Sequence, residues 1–263
     1  MLNWLAHLDR ILRGDVTRRE ELRDGQIKFD ERGIAIMIVL LGMIYGVCMG
    51  SFSLLKDVPA SVNDPNGRYL QLLATVIKVP ALFYLALLVT FPSLYVFNAL
   101  VGSRLVLVNV LRLLLASLAV NLAVLASLGP IVMFFSLTTQ SYAFIQLLNV
   151  IAFTVAGVLG LTFLLQTLHR LTTSPEAAAA EIRERTLEGE PSALEMAEGE
   201  TLGQHTRLVF GCWVVVFAVV GAQMGWVLRP FIGNPNEPFQ WFRTRESNFF
   251  EAVLNALRSV LSG

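Results

Sequence analysis

The stretch Ile34-Ala35-Ile36-Met37-Ile38-Val39-Leu40-Leu41-Gly42-Met43-Ile44-Tyr45-Gly46-Val47-Cys48-Met49-Gly50-Ser51-Phe52-Ser53-Leu54 decides the fold. It carries no charge and has about the twenty residues that a helix needs to cross the hydrocarbon core of a bilayer. Water is absent there, so the backbone must satisfy its own donors and acceptors, and a helix does so within one segment. Gly42, Gly46 and Gly50 recur every fourth residue, which places three positions without side chains on one helical face. Another backbone can approach closely along such a face. It belongs either to a second helix of the same chain or to another subunit.

Outward from this run the chain repeats the pattern. Apolar segments predict further spans at about 79–101, 105–135, 142–168 and 208–228. The fold class is therefore all-α, a polytopic bundle of about five spanning helices with amphipathic helices at both ends. Five regions follow: a charged amphipathic segment over 1–33, a four-span bundle over 34–168, an acidic loop over 169–207, the fifth span over 208–230 and an interfacial C-terminal helix over 231–263. The first apolar run begins too late and is too long for a cleaved signal peptide, so the chain is expected to keep it.

Composition agrees. Of 263 residues, 55% are hydrophobic and 15% charged, and the charges fall in blocks rather than evenly. With 20 basic and 20 acidic residues the net charge is zero, which offers no field for nucleic acid. Cys48 and Cys212 lie in apolar runs where a thiol behaves as a small hydrophobe. Together with the scattered His7, His169 and His205 they do not have the spacing of a zinc site, so no metal and no cofactor is expected.

Local signals refine the spans. Pro80 and Pro92 fall in or near the second, and Pro92 is expected to kink it. Tyr69, Leu70, Leu73, Val76 and Ile77 suggest a separate amphipathic approach before it. Gly102-Ser103-Arg104 leaves room for a tight turn, so the second and third spans should form a hairpin. The third is long enough to tilt, or to break near Gly129-Pro130, which makes Pro130 a second kink candidate. Ala156 and Gly160 in the fourth span, and Ala218, Gly221, Ala222 and Gly225 in the fifth, are further close-packing faces.

At the ends, Trp4, Leu5, Leu8, Ile11 and Leu12 share one helical face, for a helix lying in the membrane interface or packed on protein. The loop before the fifth span is rich in glutamate, and its Gly189, Pro191 and Gly199 favour a mobile chain. Phe249, Phe250, Val253, Leu254, Leu257, Val260 and Leu261 form an apolar stripe opposite Glu251, Asn255, Arg258 and Ser259. Asn248 and Glu251 have capping-box spacing, which fixes the start of this last helix. It is too short to span and should lie on the membrane, with Trp241 and Phe242 at headgroup level.

Basic residues near the spans set orientation. One side receives Arg10, Arg13, Arg18, Arg19, Arg23, Lys28 and Arg32, then Arg104, then Arg170, Arg183, Arg185 and Arg207. The other receives Lys56, Arg68, Arg229, Arg243, Arg245 and Arg258. The excess places the N-terminus and the acidic loop in the cytoplasm.

Polar groups at membrane depth are candidates for function because each needs a partner away from water. Asn109 and Arg112 share a face of the third span, Asn121 lies deeper, and Gln146 and Asn149 share a face of the fourth. As hydrogen-bonding glue between helices they need no substrate; as the lining of a path they would serve transport. The apolar runs contain no Asp or Glu, and the chain offers no Ser/His/Asp cluster or phosphate-binding glycine loop, so no catalytic residue is identified.

The segment Phe91-Pro92-Ser93-Leu94-Tyr95-Val96-Phe97-Asn98-Ala99-Leu100-Val101-Gly102, with the spans after it as far as Leu168, resembles bacterial multi-spanning proteins similar in layout to the Yip1-type membrane family. The resemblance implies five clustered helices behind a hydrophilic N-terminal region. It also implies a non-enzymatic role in membrane organisation, trafficking or assembly, and it transfers no functional residue. The expected role is a structural, scaffold or accessory subunit of a bacterial inner-membrane assembly, with the lipid bilayer and other subunits or further copies as partners. The alternative is a small channel or transporter component.

Overall fold

The computed structural model describes residues 31–55, 66–100, 107–172, 211–234, 237–243 and 248–262. The N-terminal amphipathic segment, the tight turn after the second span and the acidic loop lie outside the described residues. Within them the chain is all-helical: α1 (Glu31–Leu55), α2 (Gly67–Leu100), α3 (Leu107–Thr138), α4 (Tyr142–Thr172), α5 (Gly211–Val227) and α6 (Phe249–Ser262). α1 to α4 are each long and apolar enough to cross a membrane. α5 is described over 17 apolar residues, which approaches a full span and agrees with a total of about five.

Two expectations about breaks in the helices are resolved by continuity. α2 is one helix from Gly67 through Pro80 and Pro92, so the amphipathic approach and the second span are a single element. α3 likewise continues through Gly129 and Pro130. Proline inside a spanning helix is tolerated where neighbouring side chains and backbone serve the carbonyl it leaves unbonded. Two residues before Pro92, the Thr90 main-chain oxygen accepts from Trp213 Nε1 at 3.3 Å, which ties α2 to the Trp213 side chain.

α1 occupies the middle. It packs closely on both α2 and α3, while among the described residues α2 and α3, although consecutive in sequence, barely approach each other. Over their described lengths the two arms of the expected hairpin are therefore held apart by α1, which lies between them, while the turn itself is outside the described residues. The glycine row explains why α1 wins that position. An added Cβ at Gly42 would lie 3.0 Å from Pro80 Cβ, at Gly46 2.8 Å from Val76 Cα, and at Gly50 2.8 Å from Leu72 Cδ1. Each step of four along α1 is matched by a step of four backwards along α2, so the two run antiparallel in register. On the opposite side, Gly129 of α3 gives room to Cys48 Sγ, 2.9 Å from where its Cβ would be.

α4 packs on α3, where Gly160 lies against Asn121 and Ser117 Oγ donates to the Gly160 carbonyl at 2.7 Å. Its aromatic residues also reach α1 and α2: Phe153 meets Tyr45 edge-on at 5.5 Å and Phe83 face-on at 6.0 Å. Ser141 caps its start by accepting from Phe144 N–H. α5 runs antiparallel to α2, with Trp213 buried beside Thr90 and Gly225 beside Leu82. The outer faces keep large apolar residues exposed, including Leu88, Ile151, Val158 and Val215. In water such a surface would associate indiscriminately, whereas lipid tails solvate it.

Candidate functional site

Side-chain hydrogen bonds gather in two places, the interior of the bundle and one of its ends. In the interior, Asn149 is buried and takes both kinds of bond: its Oδ1 accepts from the Tyr45 hydroxyl at 2.8 Å and its Nδ2 donates to the Ile145 carbonyl at 2.9 Å. Gln146, one turn away, is half-buried. Asn121 is buried at the α3–α4 contact, and its Oδ1 has no hydrogen-bond partner among the described residues. Arg112 is half-buried and engaged near the start of α3, while the Asn109 side chain lies outside the described residues. Among the described side chains, Asn121 and Asn149 thus sit at different helix contacts. Asn149 is drawn into α1 by Tyr45, and Asn121 faces Gly160 of α4.

The small-residue faces divide in the same way. Gly42, Gly46 and Gly50 are occupied by α2, Gly160 by α3, and the neighbouring Ala156 is fully buried. In α5 the row splits. Gly225 touches Leu82, Ala222 is half-buried and Ala218 is exposed, and a Cβ at Gly221 would meet nothing within 4 Å. That face is not filled from within the described part of the chain.

The second gathering place was not legible in the sequence. Gln71, Thr75 and Lys78 lie on one face of α2 at helical spacing, all buried, and all bond to main-chain carbonyls of the segment after α5. Gln71 Nε2 donates to Pro230 at 3.2 Å and Phe231 at 3.0 Å, and Thr75 Oγ1 donates to Phe231. Lys78 Nζ donates to Pro230 at 3.1 Å and to Trp241. The ammonium also lies 5.0 Å from the Phe242 ring centre and 5.9 Å from that of Trp241. Tyr142 of α4 adds a bond to the Ile232 carbonyl at 3.3 Å, and Gly233 fits where a Cβ would strike Gln71 and Ser53.

The stretches 229–234 and 237–243 are thereby strapped across the end of the bundle where α1 stops and α2 and α4 begin. Arg243 N–H closes it on the Arg229 carbonyl at 3.4 Å, and Arg243 pairs with Glu237 at 2.9 Å. Comparison with family models, curated proteins and solved structures finds no match. The chemistry must therefore be read from these residues. Among the described residues no three His, Cys, Asp or Glu side chains cluster in a way that could hold a metal.

Beyond the strap, α6 packs on α4. Asn248 Oδ1 accepts from Glu251 N–H at 2.9 Å and caps its first turn. The apolar stripe expected on this helix is shared between two directions. Phe249, Val253 and Ala256 lie on its inner, more buried edge, while Phe250, Leu254, Leu257 and Leu261 are exposed.

Proposed function

We propose that this protein is a non-enzymatic integral membrane subunit that organises other components of a membrane assembly, residing in a bacterial inner membrane with its N-terminus in the cytoplasm. The observation that carries the reading is the division of its close-packing faces. The α1 row is consumed inside the chain, while the Ala218–Gly221 face of α5 and the bulky edge of α6 are left uncovered among the described residues. Small residues on a lipid-facing helix let another helix approach. An amphipathic helix with one apolar edge outward suits a lipid surface or a neighbouring subunit. The layout likeness to the Yip1-type family and the excess of arginine on the N-terminal side support the same placement.

A transport path would need polar groups that share a lumen. Tyr45 and Ile145 instead occupy Asn149, and Asn121 lies on a different helix contact. The organising role therefore uses more of the molecule. Crosslinking in native membranes followed by purification tests it, comparing wild type with Gly221→Leu. The reading requires a crosslinked partner, or a second copy, that is lost in the variant while the monomer remains folded. A chain that is monomeric in both cases and conducts ions in liposomes would favour the channel reading instead.

A further inference from the structure

We propose that the strapped end of the bundle, at Lys78, Arg229 and Arg243, docks the phosphate of an anionic phospholipid, an inference that rests on the helices crossing lipid. The strap brings the cations together. Lys78 holds the carbonyls of Pro230 and Trp241, which neighbour Arg229 and Arg243 in the chain, and the Arg243 amide bonds the Arg229 carbonyl. The main chains that carry both arginines are thus held side by side by one buried ammonium.

Charge supplies the second argument. Lys78 is 3% exposed, and the partners it has among the described residues are neutral: two carbonyls and two aromatic rings. Among the described residues no carboxylate bonds it, and a charge at low dielectric acts more strongly on a neighbouring charge than one in water. Glu237 moderates only part of the positive charge, since one of its oxygens pairs with Arg243 and the other accepts from Asn234.

Depth is the third. The strap lies where α1 ends and α2 and α4 begin, the level of the headgroups for helices that span. Trp241 and Phe242 are exposed there, and Trp226 lies under the Arg229 guanidinium at 3.7 Å. Aromatic side chains favour this layer, and guanidinium groups match the oxygens of a phosphodiester.

The test is native mass spectrometry of the full chain released from detergent with equal phosphatidylglycerol and phosphatidylcholine, reading the ratio retained. Wild type should keep phosphatidylglycerol in preference. Arg243→Gln should lower the ratio by about fivefold, and Glu237→Gln should raise it by a similar factor, the effect of one charge near a phosphate. Arg32→Gln, at the other end of α1, should change it by less than about twofold. Because the two strap variants act in opposite directions, misfolding of one cannot imitate the result. Equal retention of the two lipids, no response to Glu237→Gln, or an equal response to Arg32→Gln would overturn the proposal. So would inorganic phosphate that displaces phosphatidylglycerol and is itself retained, since the ligand would then be the free ion.

Discussion

Alanine at Gly46 provides a sharp perturbation of the helix pair on which the bundle is built. The added Cβ would stand 2.8 Å from Val76 Cα and 3.1 Å from the Thr75 carbonyl oxygen. Both are main-chain atoms, so no rotamer relieves the overlap, and α1 and α2 must part by about half an ångström, loosening the contacts at Gly42 and Gly50 as well. Overpacking of this kind costs about 1–3 kcal/mol. Gly221→Ala is the matched control. Its Cβ meets nothing within 4 Å, and replacing glycine inside a helix gains up to about 1 kcal/mol. Unfolding in mixed micelles by increasing SDS, followed by circular dichroism, reads both. Gly46→Ala should unfold at a clearly lower SDS fraction and Gly221→Ala at the same or a higher one. A Gly46→Ala protein as stable as wild type, or a Gly221→Ala protein equally weakened, would refute the packing argument.

Three further outcomes are expected. A double-mutant cycle between Tyr45→Phe and Asn149→Leu should return a coupling of about 0.6–2 kcal/mol for their buried hydrogen bond, and additive effects would contradict it. Lys78→Met keeps the length of the side chain but removes the bonds to Pro230 and Trp241, so amides of 231–234 and 239–243 should exchange with deuterium roughly tenfold faster while those of α3 and α4 do not change. Asn248→Ala removes the cap of α6 and should cost about 1 kcal/mol of local stability, seen as faster exchange at Phe249–Ala252; unchanged exchange would show the cap to be idle.

The spans were legible because lipid makes an unusual demand, some twenty apolar residues in a row, which no local detail can override. The α1 glycine row was legible as a face, since Gly42, Gly46 and Gly50 need only helical period to align, but not which helix would fill it. That depended on α1 entering between α2 and α3, an arrangement fixed by shape across the whole bundle. Pro130 suggested a kink or a break and Pro92 a kink; both, with Pro80, lie inside continuous helices, where neighbouring elements make an interior proline tolerable. The strap was hidden for a different reason. Lys78 stands between Ile77 and Val79 in an apolar run, and its partners are main-chain carbonyls at Pro230 and Trp241, which no residue-type pattern announces. Gly233 was equally silent and Gly129 was read only as a possible break point, because what makes each necessary is a side chain from a distant element.

With α1 to α4 crossing the bilayer, the strap and the Thr139–Ser141 turn lie on one side and the start of α1 on the other. Single cysteines at Arg32, Gln140 and Glu237, in a chain with Cys48 and Cys212 replaced by alanine, can be labelled with a membrane-impermeant maleimide in intact cells and in inverted vesicles. Gln140 and Glu237 should label from one face and Arg32 from the opposite face only. Labelling of all three from the same face would contradict the account.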